Sequence, residues 1–248
     1  MNIAPQIPFD FFSARTPSFD NFIVGQNGEA VSALRQAARG QAAASALTLW
    51  GGRAVGKSHL IAALGRPLPD SRSAGSARAE SERPLLLSAT SRDWPEDPFV
   101  DAWLIAVDDA DQLPPERQGW LFTAFNHVAG RRGVIVTTGQ RPPGQWPLRD
   151  DLRTRLASGL TFELTAIPQD ALADALRQHA IQRGLTLSED VLTYILTRSQ
   201  RDMASLYQLV DGIDALSLAL KRPLTVPLLR TYLATRSSSA APATDHRQ

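Results

Sequence analysis

Strands and helices alternate as far as residue 166 and helices alone follow, which predicts an α/β domain, a parallel sheet flanked by helices, and then a small all-helical domain. Three observations carry that prediction. Short apolar runs bounded by turn or polar residues recur along the first part of the chain, as buried parallel strands do. Segments of helical period stand between several of them. Beyond Pro168 the helical period continues with no strand between the segments.

Taken in order, residues 1–17 are rich in proline and aromatics without a helical period and read as an exposed arm. From 28 to 39 the apolar positions Ala30, Val31, Leu34, Ala37 and Ala38 keep helical spacing. The apolar run 46–50 then ends in Gly-Gly, a helix followed by a strand. Residues 58–64 read as a helix, and 67–83 as a surface loop rich in Pro, Ser, Gly, Ala and Arg. Apolar runs at 84–89, 102–107 and 133–138 are predicted strands, and 160–164 is a weaker one. Between them, 114–129 places Trp120, Leu121, Ala124, Phe125 and Val128 on one face behind a Pro-Pro start that suits a helix N-terminus. Helices are predicted at 168–183, 188–198, 201–220 and 225–234, and the polar tail is predicted to be disordered. The predicted divisions are an arm (1–17), an α/β core (18–166), a helical domain (167–235) and a tail (236–248).

Composition narrows the function. With 248 residues, 43% hydrophobic and 21% charged, the chain is large enough to bury a sizeable core. A net charge of +1 names no nucleic-acid or membrane partner. Cysteine is absent, so disulfides, thiolate metal sites and a cysteine nucleophile are excluded, which suits a reducing compartment. The N-terminus lacks a basic region followed by an apolar one, and no window approaches a membrane span, so a cytoplasmic protein is expected. Of 26 basic residues only Lys57 and Lys221 are lysines.

Lys57 belongs to GGRAVGKS at 51–58, which has the glycine, lysine and hydroxyl spacing of a phosphate-binding loop between a strand and a helix. Gly51 and Gly56 let backbone N–H groups wrap phosphates, the helix start adds its positive dipole end, Lys57 neutralises phosphate charge, and Ser58 can ligate Mg2+. WLIAVDDAD at 103–111 supplies the matching acidic strand: Asp108 to hold Mg2+ through water, Asp109 to orient or activate an attacking water. Two arginines are candidate phosphate ligands. Arg155, in DLRTRLASGL, could reach a neighbouring subunit's nucleotide, and Arg201, at the start of the third helix of the small domain, could close on this chain's own nucleotide.

The order of P-loop, Asp-Asp strand, arginine segment and helical domain with an early arginine resembles the AAA+ ATPases. SFDNFIVG at 18–25, His59 directly after the P-loop and Arg-Pro-Pro at 141–143 narrow the likeness to the core of the DnaA family, over residues 18 to about 235. The chain lacks the DNA-binding domain of DnaA itself and is similar to the shorter DnaA regulators of the Hda family. That resemblance implies an AAA+ P-loop core with a helical lid, ADP or ATP with Mg2+ as cofactors, and a nucleotide site of Gly51, Gly52, Val55, Gly56, Lys57, Ser58 and His59 with Arg201 as lid sensor. It implies Arg155 as an arginine finger acting in trans. It also implies DnaA and the DNA polymerase sliding clamp as partners, with no sequence-specific DNA binding of its own, and leaves open a homodimer and intrinsic hydrolysis. Gln6, Ile7, Phe9 and Phe11 resemble a clamp-binding peptide, a glutamine amide at a pocket rim with apolar side chains filling a groove. The sequence departs from the family at TTGQRPP, where Gln140 stands in place of an aspartate, so the polar sensor is either Gln140 or Thr138. An autonomous ATPase such as a DnaC-like helicase loader is the alternative.

Overall fold

The computed structural model describes residues 16–67, 83–198, 203–220 and 225–239. One compact unit is Thr16–Ile167 and a second begins at Pro168. The arm residues Gln6, Ile7, Phe9 and Phe11, and Arg201, lie outside the described residues, as does most of the 67–83 segment.

The first unit runs α1 (Gly28–Ala38), β1 (Ala46–Trp50), α2 (Lys57–Leu64), β2 (Leu85–Ser88), β3 (Leu104–Asp108), α3 (Pro115–Gly130), β4 (Val134–Gly139), α4 (Asp150–Ala157) and β5 (Leu160–Glu163). The five strands are parallel in the order β2-β3-β4-β1-β5. Ala46 pairs with Ile135 and Trp50 with Gly139, which sets the ends of β1 and β4 side by side. Because side chains alternate across a strand, each central strand feeds two cores. Leu47 and Leu49 of β1, Leu104 of β3 and Val136 of β4 pack with Leu34 of α1 and Leu60 and Leu64 of α2. Ile105, Val107 and Ile135 pack on the other face with Leu121 and Phe125 of α3 and Leu152 and Leu156 of α4.

The strands fall where the apolar runs predict. The central ones are buried throughout apart from their last residue in β1 and β3, whereas β2 and β5 at the edges are partly or largely exposed. Two features differ from the sequence reading. Asp150–Ala157 is a helix that no predicted segment covers; two aspartates occupy its first turn and its buried residues are Leu152 and Leu156. Residues 236–239 continue a helix where a disordered tail is predicted.

In the second unit α5 (Gln169–Ile181), α6 (Glu189–Arg198), α7 (Met203–Leu220) and α8 (Val226–Ser239) pack through Leu172, Leu176, Val191, Ile195, Leu206, Leu209, Ile213 and Leu229. Arg177 of α5 reaches both carboxylate oxygens of Glu189 at 2.8 and 2.9 Å. Buried His179 bonds Asp211 of α7 and stacks on Tyr207 at 4.3 Å. No described helix is long and apolar enough to cross a membrane.

A side chain joins the start and end of the first unit. Asn27, just before α1, donates to Thr165 O at 3.1 Å and accepts from Thr165 N at 2.9 Å.

Candidate functional site

The phosphate loop leaves β1 at the C-terminal edge of the sheet and enters α2. A Cβ on Gly51 would overlap the carbonyl oxygen of Leu164, so only glycine fits that crossing. Gly56, immediately before α2, has φ 98°, and a Cβ there would sit 2.6 Å from the Phe22 ring. Between them Gly52 and Arg53 are exposed, Ala54 has φ 60°, and Val55 is buried and anchors the loop to the core. The loop passes into the N-terminus of α2 at Lys57 and Ser58, where free backbone N–H groups and the helix dipole favour an anion.

Residues 18–25 back this loop. Phe19 and Phe22 are buried in the core shared with α2. His59 Nε2 lies 2.9 Å from Ser18 O, and its ring packs on Phe22 with centroids 5.5 Å apart.

Lys57 is buried, and its ammonium donates to Gly51 O at 2.8 Å and Gly52 O at 2.6 Å. Burial pushes its pKa down, and the charges of Asp109, Asp108 and Asp111 oppose that shift. The acids come from the end of β3 and the short 3-10 turn Ala110–Gln112 after it. Asp109 has φ 51°, a left-handed backbone that aspartate adopts more readily than most residues. Its carboxyl pKa is raised, first by burial and then by Asp108 and Asp111, with Lys57 and Arg53 pulling the other way.

Thr138 fastens this acidic turn to β4. Its hydroxyl donates to Asp108 Oδ1 at 2.6 Å and accepts from Asp109 N at 2.8 Å. Gln140 is exposed, and its backbone N–H donates to Asp111 Oδ2 at 2.9 Å. Of the two sensor candidates, then, Thr138 is the one whose side chain meets the acids.

The chemistry of this donor set fits a nucleotide with Mg2+. The glycine loop, the α2 N-terminus and Lys57 would hold phosphates, and Ser58 and Asp108 would share the cation with them. Among the described residues no group of three or more His, Cys, Asp or Glu is arranged to hold a metal ion, which suits a Mg2+ bound through few protein ligands together with phosphate oxygens and water. When bound, the cation would offset charge on the phosphates.

Arg155 stands elsewhere. It is exposed on the last turn of α4, on the sheet face opposite α1 and α2, with its guanidinium 5.4 Å from the Phe122 ring and 5.6 Å from Phe125. The charges that act on Lys57 and Asp109 come from Asp108, Asp111 and Arg53, and Arg155 is not among them.

Residues 169–233 match the family model described as Hda, lid domain. Most of the chain is similar in structure to domain III of the DnaA replication initiation protein of Thermotoga maritima. That match has TM-score 0.68 and 18% identity and covers 89% of this chain and 97% of that one. The helical unit matches the Hda lid model, and the fold is that of DnaA domain III. AMPPCP-bound DnaA from Aquifex aeolicus matches with TM-score 0.63 and 19% identity over 90% of this chain and 70% of that one. RuvB of Thermotoga maritima matches with TM-score 0.59 and 15% identity over 90% and 73%. At these identities the likeness is one of fold.

Sequence reasoning missed Asp111 and Gln118. Asp111 is two residues beyond the acidic pair, in the very motif quoted for it, yet its bond to Gln140 N depends on how β4 ends. Gln118 is buried on α3, where its amide donates to Leu113 O and accepts from Arg149 N, both at 2.8 Å. Its one legible signal is a polar residue within an otherwise apolar helix face.

Proposed function

We propose that this Hda-like protein regulates the initiation of chromosome replication in the cytoplasm by stimulating hydrolysis of ATP bound to DnaA. It holds ADP or ATP with Mg2+ at residues 51–59 and docks on the polymerase sliding clamp through Gln6, Ile7, Phe9 and Phe11. It presents Arg155 to the nucleotide of DnaA, and Arg201 reads its own nucleotide from the lid.

The observation that carries this reading is a contrast on one short helix. Arg149 is paired with Asp151 at 2.8 Å and Arg153 with Asp150 at 2.6 Å, while the Arg155 guanidinium has no hydrogen-bond or ion-pair partner among the described residues. An exposed arginine that no described residue pairs, on the face away from its own P-loop, suits delivery to another chain's phosphates, where such a group accelerates hydrolysis by ~10³ or more. The match to the Hda lid domain and the DnaA-like fold support DnaA as the partner.

The test is hydrolysis of DnaA-bound ATP with the protein and DNA-loaded clamp. Arg155→Ala is expected to abolish stimulation while keeping nucleotide and clamp binding, and Gln6→Ala to remove the clamp dependence. Full stimulation by Arg155→Ala defeats the assignment.

A second reading, an autonomous ATPase such as a helicase loader, is favoured by the intact Asp108, Asp109 and Thr138 network beside Lys57. It predicts steady ATP turnover by the isolated protein that deletion of residues 1–12 leaves unchanged.

A further inference from the structure

Gln118, Phe122 and Phe125 of α3 are spaced by four and three residues, so they lie along one face of that helix. All three touch α4 or the residue before it. Gln118 accepts the N–H of Arg149, the residue that precedes α4 and whose own side chain forms no cap there. Its other amide end is fixed on Leu113 O, at the close of the turn that follows the acidic pair. Phe122 then has two guanidiniums near its ring, Arg149 at 5.3 Å and Arg155 at 5.4 Å.

We propose that Gln118 and Phe122 are positioning residues for Arg155, fixing the start of α4 and the guanidinium at its end; the proposal rests on the trans-acting reading above. The physical reason lies in what each partner leaves free. A carboxylate beside Arg155 would fix it but neutralise its charge and occupy its fork of donors. An aromatic face attracts the guanidinium through its quadrupole and leaves the N–H groups available in the plane of the group. Arg149 has its carboxylate in Asp151 and still lies over the Phe122 ring. Gln118 is neutral and bonded at both its nitrogen and its oxygen, so it sets the helix start without adding charge to the surface.

The experiment measures stimulated hydrolysis of DnaA-bound ATP against concentration of the full-length protein, with DNA-loaded clamp, for Gln118→Leu, Phe122→Leu, Phe122→Tyr and Arg155→Ala. Misplacing a phosphate-binding group lowers the maximal rate rather than the binding step. Gln118→Leu and Phe122→Leu are therefore expected to lower the maximal rate about tenfold, with the half-saturating concentration changed by less than about twofold. Phe122→Tyr, which keeps the ring face, is expected to restore the rate. Wild-type maximal rates in both leucine variants, with Arg155→Ala inactive, would overturn the positioning proposal and leave the trans-acting reading standing. A loss in Phe122→Leu that Phe122→Tyr fails to restore also overturns it, because the ring face would then not be what holds Arg155. Full activity of Arg155→Ala overturns the underlying reading. Should Gln118→Leu unfold, the Phe122 pair decides alone.

Discussion

The two flanks of the sheet treat their functional cations in opposite ways. On the α1 and α2 side, Lys57 is buried, its ammonium is bonded to two loop carbonyls, and its neighbours are acids. On the α3 and α4 side, Arg155 is exposed, carries no counter-ion among the described residues, and rests on aromatic rings. The first cation is enclosed by its own chain, as suits a group that grips a ligand inside the fold. The second is held in place yet left chemically unspent, as suits a group used on something outside it.

Gly56→Ala attacks the enclosed flank most directly. The new Cβ meets the Phe22 ring and must accept φ 98°, so the loop has to shift. Nucleotide affinity measured by titration calorimetry is expected to fall at least about 100-fold, equivalent to about 2.8 kcal/mol. Unchanged affinity would mean that the loop is not preset and that the contrast between the flanks is weaker than described. A smaller effect is expected from Thr138→Val. It leaves Asp108 Oδ1 without its donor and Asp109 N without its acceptor, and urea unfolding should show a loss of about 2 kcal/mol. The smallest effect comes from Asp109→Asn. The folded pKa of Asp109 lies above its unfolded value, so ionising it costs native stability. That cost is absent below the unfolded pKa, grows as pH rises toward the folded pKa, and is complete above it. The asparagine variant is expected to melt higher than the parent near neutral pH and to lose that advantage as pH falls into the carboxylate range. A gain that persists in acid would show that charge is not its source.

The enclosed flank was legible in the sequence because its chemistry is local. GGRAVGKS needs only a strand before it and a helix after it, and both were present as apolar run and helical period. The acidic strand was legible for the same reason. The open flank was much less so. At eight residues and two buried leucines, α4 is too short to show a period, and its relation to α3 depends on a bond between Gln118 and Arg149, 31 residues apart. Arg155 was singled out by family resemblance, and nothing in its spacing distinguished it from the paired Arg149 and Arg153. Likewise, Thr138 and Gln140 were equal candidates until the register of β4 against β3 set Thr138 beside the acids.

The bonds between Asn27 and Thr165 have a mechanical consequence. The amide of Asn27 pairs with the backbone of Thr165 in both directions, much as one strand residue pairs with another, and Thr165 lies two residues before the unit ends at Ile167. Two hydrogen bonds from one side chain thus close the first unit on itself, and the segment leading into α1 cannot part from the chain leaving β5 until both are broken.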